Sequence, residues 1–194
     1  MPFSTDNSWP VGLLRIFEIC REENKPYESR YYGPYTKLLD YCFGNSFTFV
    51  VVLKKTPSNC VPEEAADPIF SLTVFDAAYR PVLMVEIKDD DWASIANNRL
   101  QADEQLRDQY NAMLDTCPLP RFWGLSLLGT SARIYCGDVA ARTITPWYQA
   151  RPREDYILPL EFLKGEWDLD ILSQEGFNKM KEIVMDIMTA AAVL

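Results

Sequence analysis

Residues 82–92 read VLMVEIKDDDW. Val82, Leu83, Met84, Val85 and Ile87 are what a buried strand carries. Glu86 and Lys88 interrupt that run two residues apart, and strand alternation points both to the same face. A charge on an apolar strand is costly unless something pairs with it or binds it. The segment therefore predicts a central strand with a chemical site at its end.

IFSLTVF (69–75) precedes this strand across DAAYRP, a turn-forming sequence, so the two read as a hairpin. FTFVVVLK (47–54) is a further β-branched and aromatic strand, joined by the loop KTPSNCVPEEAADP (55–68). On the other side, NRLQADEQLRDQYNAMLD (98–115) carries Leu100, Leu106, Tyr110, Met113 and Leu114 near one side of a helix, which CPLPR breaks. FWGLSLLG (122–129) is an apolar strand, with TSARIYCGD as its hairpin partner. Helices are also expected over 11–24, over 34–43 from Pro34 to the stop at Gly44, and over 173–189. The order α–α–β–β–β–α–β–β–α defines a mixed α/β (α+β) chain: a central mixed β-sheet flanked by helices, in one domain spanning 1–194.

Composition excludes several chemistries. The 194 residues contain no histidine, which removes Ser-His-Asp and Cys-His nucleophile systems and most zinc hydrolases. Catalysis would rest on carboxylates, Lys, Arg, Tyr or a hard metal ion held by oxygen. The formal charge of −9 argues against general nucleic-acid binding unless a local basic face or bridging metal ions supply the missing positive charge. The five cysteines include no CxxC pair and read as reduced thiols. No apolar run is long enough for a membrane span and no secretory signal is evident, so an intracellular protein, cytoplasmic or nuclear, is expected.

Acidic residues and lysines are common enough here that Glu86-x-Lys88 could arise by chance; Glu23-Asn24-Lys25 is a second instance. The setting adds weight. A hairpin turning at Asp76-Ala77 would pair Asp67 with Glu86, bringing two carboxylates side by side with Lys88 one step along. Such a pair suits Mg²⁺ or Mn²⁺, with water and phosphate completing the shell. A turn at Ala78-Tyr79 would instead set Ser71 opposite Glu86 and leave a single acid.

This arrangement resembles the PD-(D/E)XK nuclease (restriction-endonuclease-like) superfamily. Its αβββαβ core maps onto 34–43, 47–54, 68–75, 82–88, 98–115 and 122–128, leaving an extra N-terminal helix, a β-hairpin strand and a C-terminal helix. The resemblance implies a Mg²⁺- or Mn²⁺-dependent hydrolase of DNA or RNA. In it Asp67 and Glu86 are metal ligands, the Ile87 carbonyl is a third, and Lys88 is the catalytic lysine. Asp40 would be an added acid from the first core helix, and Gln105 or Arg107 a polar residue from the second. The chain departs from the family in placing Asp67 before Pro68 rather than after it. The segments RYYGPYTKLLDYCFG, VEIKDDDW, PRFWGLSLLGTSARIYCGD and KGEWDLDILSQEGFNKMKEIV are also similar to a group of poorly characterised mushroom (basidiomycete) proteins.

Two other functions fit the same residues. One is a catalytically inactive nuclease fold used as a protein-binding module. The other is a metal-free fungal toxin, an N-glycosylase acting on ribosomal RNA, with Tyr35 or Tyr110 stacking an adenine beside Glu86 and Arg107. Tyr31, Tyr32 and Tyr35, beside Arg30 and Lys37, read either as base-stacking rings or as core. Arg99, Arg107, Arg121 and Arg133 read as a local basic face or as ion-pair partners, and Asp89–Asp91 as helix-start charges or a calcium site.

Overall fold

The computed structural model describes residues 2–22, 28–44, 47–56, 69–153 and 155–194. Helices α1 (Pro2–Thr5), α2 (Val11–Glu22) and α3 (Tyr32–Phe43) precede strands β1 (Phe49–Thr56), β2 (Ile69–Asp76) and β3 (Pro81–Lys88). Helix α4 (Ala96–Leu114) leads to β4 (Arg121–Leu128) and β5 (Ser131–Asp138). Two short strands, β6 (Thr143–Thr145) and β7 (Leu169–Asp170), and helix α5 (Gln174–Ala191) follow. The mixed α/β class expected from the sequence is the class observed. Single-turn 3-10 segments at Glu28–Tyr31 and Asp90–Ser94 are additions, as are α1, β6 and β7.

The strands form one sheet in the order β1-β2-β3-β4-β5-β6, with β7 also on β5. Only β3 and β4 run parallel among the described pairs, and α4 is the crossover such a pair requires. β3 is buried at every position, as befits a central strand covered on both faces. The face carrying Met84 and Gly124 packs on α4, because a Cβ at Gly124 would fall 2.7 Å from the Tyr110 ring. The opposite face, carrying Leu83 and Trp123, meets α5, where Asp186 accepts a 2.8 Å hydrogen bond from the Trp123 indole. Ser173 caps α5 by accepting from the Gly176 N–H at 3.0 Å. Cys42, Cys117 and Cys136 form no disulfide among the described residues, and the Cys20 thiol donates to the Arg30 carbonyl at 3.0 Å.

The β2–β3 hairpin differs from the two-residue turn expected at Asp76-Ala77. The Asp76 carboxylate accepts from the N–H groups of Ala78 (3.0 Å) and Arg80 (2.8 Å) and pairs with the Arg80 guanidinium. That capture opens a longer loop, with Tyr79 at φ 60°, and sets Phe75 opposite Pro81. Ser71, not Asp67, is consequently the partner of Glu86. Asp67 itself, with the rest of the loop 57–68, lies outside the described residues.

Candidate functional site

Register places Lys54, Ser71, Glu86, Ser126 and Arg133 in one row across five strands, all on the face that α4 covers. Glu86 stands at its centre, wholly buried, and neither of its carboxylate oxygens has a hydrogen-bond partner. The hydroxyls of Ser71 and Thr73 beside it on β2 are also buried and unpartnered. Ser126 on β4 is held at 3.2 Å by the Trp167 indole N–H. The protein thus assembles unsatisfied oxygen atoms on the floor of its sheet, where each normally costs about 1–3 kcal/mol.

Lys88 lies one step along β3. Its ammonium is 3.8 Å from Glu86 and 3.6 Å from Glu28, and 4.9 Å from the Trp92 ring centre. Those separations are ion pairs, too long to satisfy a carboxylate by hydrogen bonding. Glu28 is delivered by the 3-10 segment that lies against the end of β3, and its other oxygen accepts from the Tyr32 hydroxyl at 2.7 Å. Burial is the main force on Glu86: it pushes the carboxyl up to about 8, Lys88 opposes the rise, and the charges of Glu28 and Asp103 add to it. Burial and the bond to Glu28 likewise raise Tyr32.

The structure brings Glu86 and Lys88 together, with Ile87 between them and its side chain in the opposite core. Gln105, on α4, keeps a buried Oε1 without a partner and lines a groove of about 650 Å³ with Arg107 and Tyr148. Asp40 is elsewhere: it borders a small hollow between α2 and α3 with Leu13, Ile16 and Lys37. Arg107 is bound to Asp103 at 2.9 Å and to the Pro146 carbonyl at 2.6 Å. Tyr35 donates to the Gly129 carbonyl and Tyr110 to that of Phe122. Both rings are buried, so neither presents a face to a base, and Tyr31 is core as well. Arg99 binds the carbonyls of Ala93, Leu160 and Phe162, while Arg121 pairs with Asp186, so these arginines clamp the fold rather than form an open basic face. Asp89 and Asp90 bind Arg30, and Asp90 also accepts from Tyr31, which makes the acidic run a lock between the 3-10 segments.

Ser71 stands opposite Glu86 as the alternative turn at Ala78-Tyr79 implies, whereas Glu28 is not singled out by the sequence and Tyr32 is read there as a stacking or core ring rather than as the partner of Glu28. Glu28 and Tyr32 stand in a turn-rich stretch whose only signal is their four-residue spacing, and Ser71 is an ordinary strand residue until the register is known. Comparison of the chain with family models, with characterised proteins and with solved structures gives no match.

Proposed function

We propose that the protein is a divalent-cation-dependent hydrolase of nucleic-acid phosphodiester bonds centred on Glu86 and Lys88. One observation carries this reading: a wholly buried carboxyl with both oxygens unpartnered, beside an ammonium too distant to satisfy it. Burying such a group is unfavourable unless a ligand completes its bonding. A hard cation fits the oxygen donors present. Among the described residues no three acids or thiols gather at one point, so the ion would rest on Glu86 with Glu28 as the second acid. Water and phosphate oxygens would complete the shell, which is the usual habit of Mg²⁺.

When bound, Mg²⁺ or Mn²⁺ supplies Lewis-acid polarisation of a phosphoryl oxygen and acidifies a water. The chain's own residues do the rest. Glu86 anchors by giving up its proton. Lys88 directs its ammonium at charge developing on the phosphate oxygens. Glu28, steadied by Tyr32, holds Lys88 in place.

Calorimetry with Mg²⁺ and Mn²⁺ at pH 7, in two buffers of different ionisation enthalpy, tests the site. Millimolar or tighter binding that releases about one proton, and disappears in Glu86→Ala, is the expected result. Hydrolysis of single- and double-stranded DNA and RNA should then stop with EDTA and fall about 10²- to 10⁴-fold in Lys88→Ala. Absence of metal binding removes the reading.

A second reading, a nuclease-like fold that binds partners without catalysis, draws on the serine that stands opposite Glu86 where a metal pair needs an acid. Under it, neither metal nor the Lys88→Ala change alters any activity.

A further inference from the structure

On its outer side β5 pairs with β7 at Ser131 and Ala132 and with β6 at Cys136–Asp138, leaving Arg133–Tyr135 without a second-side partner among the described residues. Alternate residues of a strand direct both N–H and C=O to the same side, so this gap leaves at least one backbone donor–acceptor pair outside the ladder. The gap adjoins a groove of about 590 Å³ lined by Ala132, Arg133, Ile134 and Pro146 and by the acids Glu166, Asp168, Glu175 and Glu182. Lys179 also lines it and is bound to Glu182 at 2.9 Å, and Arg133 is bound to Glu166 at 3.1 Å. Asp168 and Glu175 have no cation partner among the described residues. Arg133 is 3% exposed, yet its Nε–H has no acceptor.

We infer that this groove is a docking slot for an extended, basic peptide segment of a partner protein, added as a short strand in the gap of β5. Two independent needs converge on that chemistry. The open edge needs a strand's alternating N–H and C=O, which an extended peptide provides. Asp168 and Glu175 need cations, which lysine or arginine side chains at alternate positions of the same peptide provide. The protein's charge of −9 draws cationic segments toward it and repels nucleic acid from the same groove. About three residues fit along the gap at roughly 3.4 Å each, with the flanking side chains lying beside the acids of the groove. The slot does not depend on Glu86 or on any hydrolysis there.

The test uses the full chain and fluorescein-labelled peptides of alternating arginine and valine. One form is unmodified, one is N-methylated at alternate amides so that charge is kept and strand pairing lost, and one has arginine replaced by citrulline. Fluorescence anisotropy should give a Kd below about 100 µM for the first peptide. At least tenfold weakening is expected with each of the other two, and with Asp168→Lys/Glu175→Lys, a double change at exposed positions. Circular dichroism confirms that this variant is folded, and the single Asp168→Asn serves in its place if it is not. Equal binding of the N-methylated peptide overturns the inference by reducing the effect to charge alone. Failure of the unmodified peptide to bind, or binding indifferent to the substitutions, overturns it as well.

Discussion

Glu86 ties the chemistry of the molecule to its stability. A carboxyl that keeps its proton to about pH 8 when folded, but loses it near pH 4.5 when unfolded, makes folding take up a proton between those values. The stability this contributes is complete below about pH 4.5 and is lost as pH rises through 8. Urea unfolding at pH 5 and pH 8.5 should therefore show wild type losing on the order of a few kcal/mol more than Glu86→Gln, which cannot titrate. Equal pH dependence in the two proteins would mean that Glu86 is ionised throughout. Asp103 is the contrasting residue. Its buried carboxylate accepts from Arg107 (2.9 Å), Arg133 (3.0 Å) and Tyr135 (2.6 Å). Asp103→Ala would strand two buried guanidiniums, and a loss of about 3–5 kcal/mol is expected from denaturant titration. The two acids look alike in sequence; one is fully bonded and the other is not.

At the scale of elements, the β2–β3 hairpin decides which atoms meet. Asp76 holds the loop by capturing the N–H groups of Ala78 and Arg80, and so sets Ser71 against Glu86. Asp76→Ala removes that capture, and a drop in melting temperature together with faster hydrogen exchange at the β2–β3 turn is the expected outcome. The junction of α5 with β7 is as exacting. A Cβ at Gly176 would lie 2.4 Å from the carbonyl oxygens of Asp170 and Ile171, which are backbone and cannot swing aside. Gly176→Ala should cost about 3 kcal/mol or more by forcing α5 from its seat, and a thermal melt unchanged from wild type would contradict that packing.

For the molecule as a whole, charge governs what can approach. The protein carries −9 overall, and its Arg99, Arg107, Arg121 and Arg133 are tied to carbonyls and carboxylates. Gel shifts at about 0.15 M salt without divalent cations should show no retention of duplex DNA. Retention that appears only with Mg²⁺ or Mn²⁺, and vanishes in Glu86→Ala, would join substrate binding to the proposed site. No helix among the described residues is long and apolar enough to cross a membrane.

Periodicity and punctuation in the sequence were sufficient for the principal elements, since apolar spacing, Pro34, Gly44, Ser173 and the break after Leu114 are local signals. They also singled out Glu86 and Lys88, because a charge in a buried strand is visible without coordinates. The partners of that pair were not visible. Whether Glu86 faces an acid or a serine depends on a hairpin register fixed by one aspartate in a loop, and displacement by an even number of residues preserves every face while changing every partner. Glu28 reaches Lys88 only because a 3-10 segment lies against the end of β3, and Tyr35 and Tyr110 are spent on carbonyls of the β4–β5 turn and of β4. The gap in β5 arises where two short strands, widely separated in the chain, fail to meet. Local propensity is written in neighbouring residues, whereas hydrogen-bond satisfaction and charge pairing are settled by contacts between residues far apart in the chain.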